Sequence, residues 1–192
     1  MDAEKYITDH WLKNRVYTHL EWEKHQIRLR TCAEALPATP GARYIDVGCA
    51  SGHSTAIMQR FRPGNWTGVD FSRSAIAAAS KFFPTGMSFF YVPDPAHLGQ
   101  LGTFDGVVCS EVLEHAGDDR GLAQILLWTT GPGGTLVATT PNKKISDPGH
   151  LRTYTEAQFR ALFERPGVER QIEIQTKGQF FYLIVRKEKR IG

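Results

Sequence analysis

The chain has 192 residues, 41% hydrophobic and 22% charged, with 23 basic against 20 acidic residues for a net charge of +3. A chain of this length buries about 70% of its unfolded surface, so one domain stands without a disulfide or metal staple. The near balance of charge argues against a nucleic-acid footprint, and no apolar run approaches membrane-spanning length. The three cysteines, Cys32, Cys49 and Cys109, are odd in number and lie in or beside apolar runs, which speaks against a disulfide framework and for small buried hydrophobes in a reducing compartment. The charged start, "MDAEKYITDH", has no signal-peptide core, so the cytoplasm is the expected location.

In chain order, apolar residues at helical spacing (Ile7, Trp11, Val16, Leu20, Ile27, Leu29) predict one or two helices before "PATPG", a helical cap over 1–36. A core over 42–192 follows, completing one domain over 1–192. "ARYIDVG" reads as a strand, "HSTAIMQRF" as a helix, "WTGVDF" as a second strand and "SRSAIAAASKFF" as a helix capped by Ser72. "SFFYV" and "FDGVVCS" are the third and fourth strands. "GLAQILLWTT" is a helix ended by "GPGG", and "TLVATT" is a strand stopped by Pro141. "TEAQFRALF" opens with a Thr155–Gln158 capping box, and "RQIEIQT" and "QFFYLIV" form a hairpin around "KG". Alternating strands and helices predict an α/β fold with a parallel sheet and helices on both faces.

In such a sheet, ligands bind beyond the carboxyl ends of the strands, at the switch point. The first strand ends in Asp46-Val47-Gly48-Cys49-Ala50-Ser51-Gly52-His53. A phosphate-cradling loop needs a Lys after its last Gly, and a dinucleotide fingerprint needs a Gly at position 53; His53 meets neither requirement. Asp70 ends the second strand, where an acid accepts hydrogen bonds from a ribose diol. Asp94 follows the third strand, where it can meet an adenine amino group, and "SEVLEH" ends the fourth. Asp46 would repel a pyrophosphate but suits a cofactor carrying positive charge. The pattern asks for an adenosine with a cationic head. Read without a ligand, the same loop is a tight strand-to-helix turn and each acid a solvated loop charge.

"YIDVGCASG", "VDFS", "PDP", "FDGVVCSEVLEH" and "GPGGTLVATTPN" resemble, in order and spacing, the class I S-adenosylmethionine-dependent methyltransferases, closest to the ubiquinone- and menaquinone-type group. The resemblance spans roughly residues 40–165. It implies a Rossmann-like, seven-stranded, mostly parallel sheet with a C-terminal antiparallel hairpin, S-adenosylmethionine as cofactor, and methyl transfer to a small molecule. It also implies roles. Asp46, Gly48, Cys49, Ala50 and Gly52 shape the methionine end, the loop by close backbone approach. Asp70 holds the ribose with Phe71 beside the adenine, Asp94 faces the adenine amino group, and Ser110 and Glu111 flank the sulfonium. Ala50 departs from the family, which often has glycine there.

Methyl transfer from a sulfonium is an in-line displacement, so the protein mainly aligns oxygen, nitrogen or carbon with methyl and sulfur. His115, His150 and Glu111 are the candidate catalytic residues, the imidazoles as bases without a metal. His10, His19 and His25 read as surface groups of the leading helices, while Trp11, Tyr17 and Trp22 read as core, or as walls of the site. The loop "PNKKISDPGHLRTY" reads as a possible lid. "EVLEH" with "HLRTYTEAQF" is also similar to small-RNA 3′-terminal 2′-O-methyltransferases, which implies as an alternative that Glu111, Glu114, His115 and His150 hold a divalent ion. A non-catalytic partner protein on the same fold is a further alternative.

Overall fold

A computed structural model describes residues 3–165 and 171–189. A seven-stranded sheet forms the centre, in the order β3-β2-β1-β4-β5-β7-β6. Its strands are β1 (Arg43–Val47), β2 (Asn65–Asp70), β3 (Ser88–Tyr91), β4 (Phe104–Ser110), β5 (Thr130–Pro141), β6 (Ile172–Lys177) and β7 (Phe180–Arg186). The first five run parallel, and β7 pairs antiparallel with both β5 and β6. The mostly parallel sheet and the C-terminal hairpin are both as the sequence predicts. Arg170, the expected start of the sixth strand, lies outside the described residues, as does Arg190 in the basic C-terminal cluster.

Alternation along the strands makes two cores. Ile45 and Val47 of β1, Val107 and Cys109 of β4, and Leu183 and Val185 of β7 face one layer, with Leu122 and Leu126 of α5 (Asp119–Thr129) and Phe159 of α6 (Glu156–Ala161). Tyr44, Val108, Tyr182 and Ile184 face the other, against Leu29 of α2 (Glu23–Ala35) and Met58 of α3 (His53–Phe61). Helices therefore cover both faces, and a strand buried on both sides reads as a continuous apolar run. All three cysteines are free and buried.

The caps follow side-chain chemistry. The Ser72 hydroxyl accepts from Ala75 N at the start of α4 (Arg73–Phe82), and Thr155 and Gln158 form the capping box on α6. One boundary differs from expectation. The α5 helix ends at Thr129 with Thr130 already extended, and "GPGG" lies inside β5. There Gly133 takes φ +74° and the β4–β5 register slips between Phe104 and Gly106, so these glycines form an irregular strand entry rather than a helix cap.

The leading segment is less regular than its apolar spacing implies. A short α1 (Ala3–Tyr6) runs into a π-helical turn (Ile7–Leu12) and, after Arg15 in the left-handed region, a 3₁₀ turn (Val16–Glu21). Among the described residues, no helix is long and apolar enough to cross a membrane.

Candidate active site

A cavity of about 440 Å³ opens beyond the carboxyl ends of β1, β2 and β4, roofed by the N-terminal segment. That is the switch point, where the chain order on either side of β1 reverses. Its size suits a small ligand.

At one end stands the glycine loop. Gly48 (φ +82°) and Cys49 both donate their amides to Val69 O, at 2.8 and 3.0 Å, which folds the loop back over β2. A Cβ on Gly48 would come 2.3 Å from Val112, so only glycine lets the loop approach the β4 end. Ala50 (φ 46°) holds a left-handed conformation that costs a side chain about 1–2 kcal/mol, and its amide donates to Asp70 Oδ2 at 2.8 Å. Ser72 N donates to Asp70 Oδ1 at 3.0 Å. Burial nevertheless pushes the Asp70 pKa up to about 6. Each oxygen keeps a further lone pair, and Asp70, Ala50 and Phe71 all line the cavity.

Other residues of this end are placed differently from the sequence reading. Asp46 is buried, its pKa pushed up by burial to about 6, and its Oδ2 accepts from Ser54 Oγ (2.9 Å) and Thr55 Oγ1 (2.7 Å). It pins the first turn of α3 and does not line the cavity; Ser54 does. Cys49 is buried behind the loop. Gly52 (φ +78°) also stands off the cavity, and a Cβ there would meet Phe89 at 2.9 Å and Ala79 at 3.1 Å. The room it leaves is already filled by protein, so its role is packing rather than contact with a ligand. Asp94 is exposed and its Oδ1 caps the following 3₁₀ turn through Ala96 N at 2.8 Å; the neighbouring Pro95 lines the cavity instead.

The opposite end follows β4. Glu111 takes φ +61°, a strained position for a side chain that turns it back into the cavity. Thr139 Oγ1 donates to its Oε1 (3.0 Å), and Arg28 Nη1 lies 3.3 Å from its Oε2. Arg28 is itself buried, stacks on Phe180 at 4.8 Å, and among the described residues its Nε has no hydrogen-bond acceptor. Helical spacing on α2 gives no sign that this cation faces the cavity. An unpaired buried guanidinium N–H in a cavity is the feature that reveals it.

Glu114, His115 and His150 meet here. One ligand atom from each lies within 4.8 Å of the others, and the two imidazoles are edge to face at 4.6 Å. Among the described residues neither Glu114 oxygen accepts a hydrogen bond of normal geometry, the Thr140 hydroxyl is likewise unsatisfied, and so is His115 Nδ1. Burial, then the charge of Glu111, pushes the Glu114 pKa well up. Burial and the neighbouring His150 push His115 down to about 4, and burial lowers His150. Glu111 stands apart from the trio, drawn to Arg28 and Thr139.

The N-terminal segment supplies the roof: Tyr6, Ile7, Trp11, His19, Leu20 and His25. His19 and His25 are therefore not the surface groups that their helical setting predicts; burial lowers their pKa values to about 4 and about 3. Trp11 walls the cavity and donates to Ser51 Oγ at 3.0 Å, while Tyr17 stacks on His53 and Trp22 is exposed. Of the lid-like loop, Ile145, Asp147 and His150 reach the cavity.

A strand-end carboxylate facing a polar pocket across one cavity, on this sheet order, is the arrangement expected of a class I methyltransferase. Comparison with known proteins agrees. The methyltransferase-domain family model matches residues 19–171. The chain is 32% identical over 121 residues to a ubiquinone biosynthesis O-methyltransferase of Cronobacter sakazakii, covering 61% of this chain and 49% of the relative. It is 28% identical over 128 residues to a 2-methyl-6-phytyl-1,4-hydroquinone methyltransferase of Synechocystis, covering 66% and 40%. Thus the chain spans about half the length of the curated relatives it matches. An O-methyltransferase family protein of Burkholderia thailandensis shares the fold at TM-score 0.76 and 14% identity, over 99% of this chain and 64% of that one. An S-adenosylmethionine-dependent methyltransferase of Archaeoglobus fulgidus does so at 0.71 and 16%, over 90% and 99%. The chain belongs to the class I S-adenosylmethionine-dependent methyltransferases, whose methyl donor is S-adenosylmethionine.

Proposed function

We propose that the chain transfers the methyl group of S-adenosylmethionine to a hydroxyl oxygen of a small aromatic molecule of quinol or catechol type. The observation that carries this reading is the trio Glu114, His115 and His150 at the β4 end of a cavity whose other end is Asp70. The apolar roof of Tyr6, Ile7, Trp11 and Leu20 suits a flat ring, and the names of the quinone-pathway relatives point the same way.

Asp70 accepts from the ribose diol, and Phe71 and Pro95 flank the adenine. Arg28, with a buried N–H unspent, takes the methionine carboxylate, an assignment the sequence reading lacked. Asp94 retains one carboxyl oxygen for the adenine amino group. With sulfur, methyl and acceptor oxygen in line, a C–O bond forms as the C–S bond breaks, and S-adenosylhomocysteine leaves with a neutral sulfur. Alignment of this kind supplies about 7–11 kcal/mol. The acceptor's proton needs a home, which Glu111 supplies.

The trio also fits a divalent cation, against the metal-free expectation. An imidazole held near pKa 4 is a poor base at neutral pH but a good neutral ligand, and a buried carboxylate without partners is stabilised by a cation. One carboxylate and two imidazoles suit Mn²⁺, Co²⁺ or Zn²⁺ better than Mg²⁺. Such an ion would lower the pKa of an acceptor hydroxyl. The balanced charge favours a small acceptor over RNA.

The test is S-adenosylhomocysteine release from S-adenosylmethionine across a panel of catechols, hydroquinones and short RNA duplexes, with Mn²⁺ or with chelator. Turnover of a phenolic acceptor supports the reading. Turnover of RNA alone, or of none while cofactor still binds, refutes it.

A further inference from the structure

The N-terminal segment is fastened on both sides of the cavity. On the cofactor side, the Glu4 carboxylate accepts from Arg73 N (2.8 Å), Ser72 Oγ (2.9 Å) and Ser74 N (3.2 Å), and Trp11 holds Ser51 of the glycine loop. On the acceptor side, the Tyr6 hydroxyl donates to Asp147 Oδ2 at 3.2 Å, and His10 Nε2 lies 3.9 Å from the same oxygen. Asp147 organises its own loop: its Oδ1 accepts from Gly149 N (2.7 Å) and its carbonyl from His150 N (3.2 Å). The Tyr6 ring lies 5.2 Å from the His115 ring. Between them sits Gly149, where a Cβ would come 2.6 Å from His115 Nδ1 and 2.7 Å from Tyr6 Cε2.

We propose that Tyr6 and Asp147 are positioning residues which make the placement of His115 and His150 depend on the N-terminal segment lying closed over the cofactor. The inference rests on the assignment of those histidines to the acceptor end. Tyr6 presses Gly149 against His115 and holds the carboxylate that folds the turn into His150. The segment roofs the cavity, so cofactor exchange requires it to lift. Lifting it breaks the Tyr6–Asp147 hydrogen bond and releases the His150 turn. The acceptor end is thus complete only while the cofactor end is covered.

Tyr6→Phe removes one hydroxyl and keeps the ring against Gly149. The full chain is measured with S-adenosylhomocysteine by calorimetry, with 3,4-dihydroxybenzoate as acceptor, and by amide hydrogen exchange. The variant should bind S-adenosylhomocysteine within about twofold of wild type and keep its KM for S-adenosylmethionine. Its kcat should fall about tenfold or more, as expected for misplaced reacting groups. Exchange should quicken about tenfold at 145–151 and stay unchanged at 73–82. Asp147→Asn, which keeps an acceptor for Gly149 and Tyr6, should retain most of the turnover that Asp147→Ala loses. Wild-type exchange at 145–151 in Tyr6→Phe overturns the proposal, as does a kcat loss matched by equal losses of melting temperature and cofactor affinity. If wild type does not methylate the probe, the exchange result alone decides the coupling, and the acceptor panel decides the proposed function separately.

Discussion

The two ends of the cavity are built on opposite principles. At the β1–β2 end each polar group already has a protein partner: Asp70 takes two backbone amides and Asp46 two hydroxyls. At the β4 end, among the described residues, the Glu114 oxygens, His115 Nδ1 and Arg28 Nε are buried with no hydrogen-bond partner. A fully paired end is rigid before its ligand arrives and needs only spare lone pairs to bind it. Buried, unpaired groups cost about 1–3 kcal/mol each, more when charged, which stays in a fold only if something else relieves it. On the proposed function, the first end serves a fixed, common ligand, and the second takes a cation, a carboxylate and an acceptor.

The largest effect should come from supplying or denying that relief. Glu114→Gln, or a chelator, is expected to cut turnover by about 10³-fold, several kcal/mol of lost charge stabilisation, with Mn²⁺ restoring only the chelated wild type. Full turnover in chelator would show that the unpaired end needs no ion. Next, Asp70→Asn should weaken S-adenosylhomocysteine by about 1.5–3 kcal/mol for each charged hydrogen bond lost, read by calorimetry, with circular dichroism unchanged.

The same carboxylate sets a pH dependence. Only the ionised carboxylate accepts at full strength through both oxygens, so affinity should be flat above about pH 6 and fall as pH drops below it, by at most about tenfold per unit. In Asp70→Asn that slope should vanish; an unchanged slope would assign the titration to another group, Asp46 foremost. Arg28→Gln should weaken S-adenosylhomocysteine by about tenfold or more yet leave 5′-methylthioadenosine, which lacks the carboxylate, unaffected. Equal losses for both ligands would contradict the assignment.

The smallest effect on binding should come from Gly52→Ala. Left-handed strain of about 1–2 kcal/mol and crowding against Phe89 should lower the melting temperature, with cofactor affinity nearly unchanged in the folded fraction.

The same contrast explains what the sequence reveals. The β1–β2 end is made of neighbours in the chain: Gly48 to Gly52 and Asp70 at a strand terminus carry local turn and pairing chemistry, so both fold and cofactor are legible there. Gly52 is ambiguous in sequence, because a turn glycine looks the same whether a cofactor or, as here, Phe89 fills the space beside it. Asp94 is harder to read, because a strand-end acid looks the same whether it faces a ligand, caps the next turn as its Oδ1 does here, or does both. The β4 end joins Tyr6, Arg28, Glu114 and His150, which only the closed sheet and the folded N-terminal segment bring together. His19 and His25 hide in the same way: their burial comes from the cavity roof, and no periodicity records it.

In the proposed complex, one cavity holds the nucleoside on Asp70 and points the sulfur at the β4 end. A crystal structure of the chain with S-adenosylhomocysteine tests it directly. The ribose diol should lie within hydrogen-bond distance of Asp70, the carboxylate on Arg28, and the sulfur facing Glu111, His115 and His150. A nucleoside lying away from Asp70, or a sulfur turned from those three residues, would contradict it.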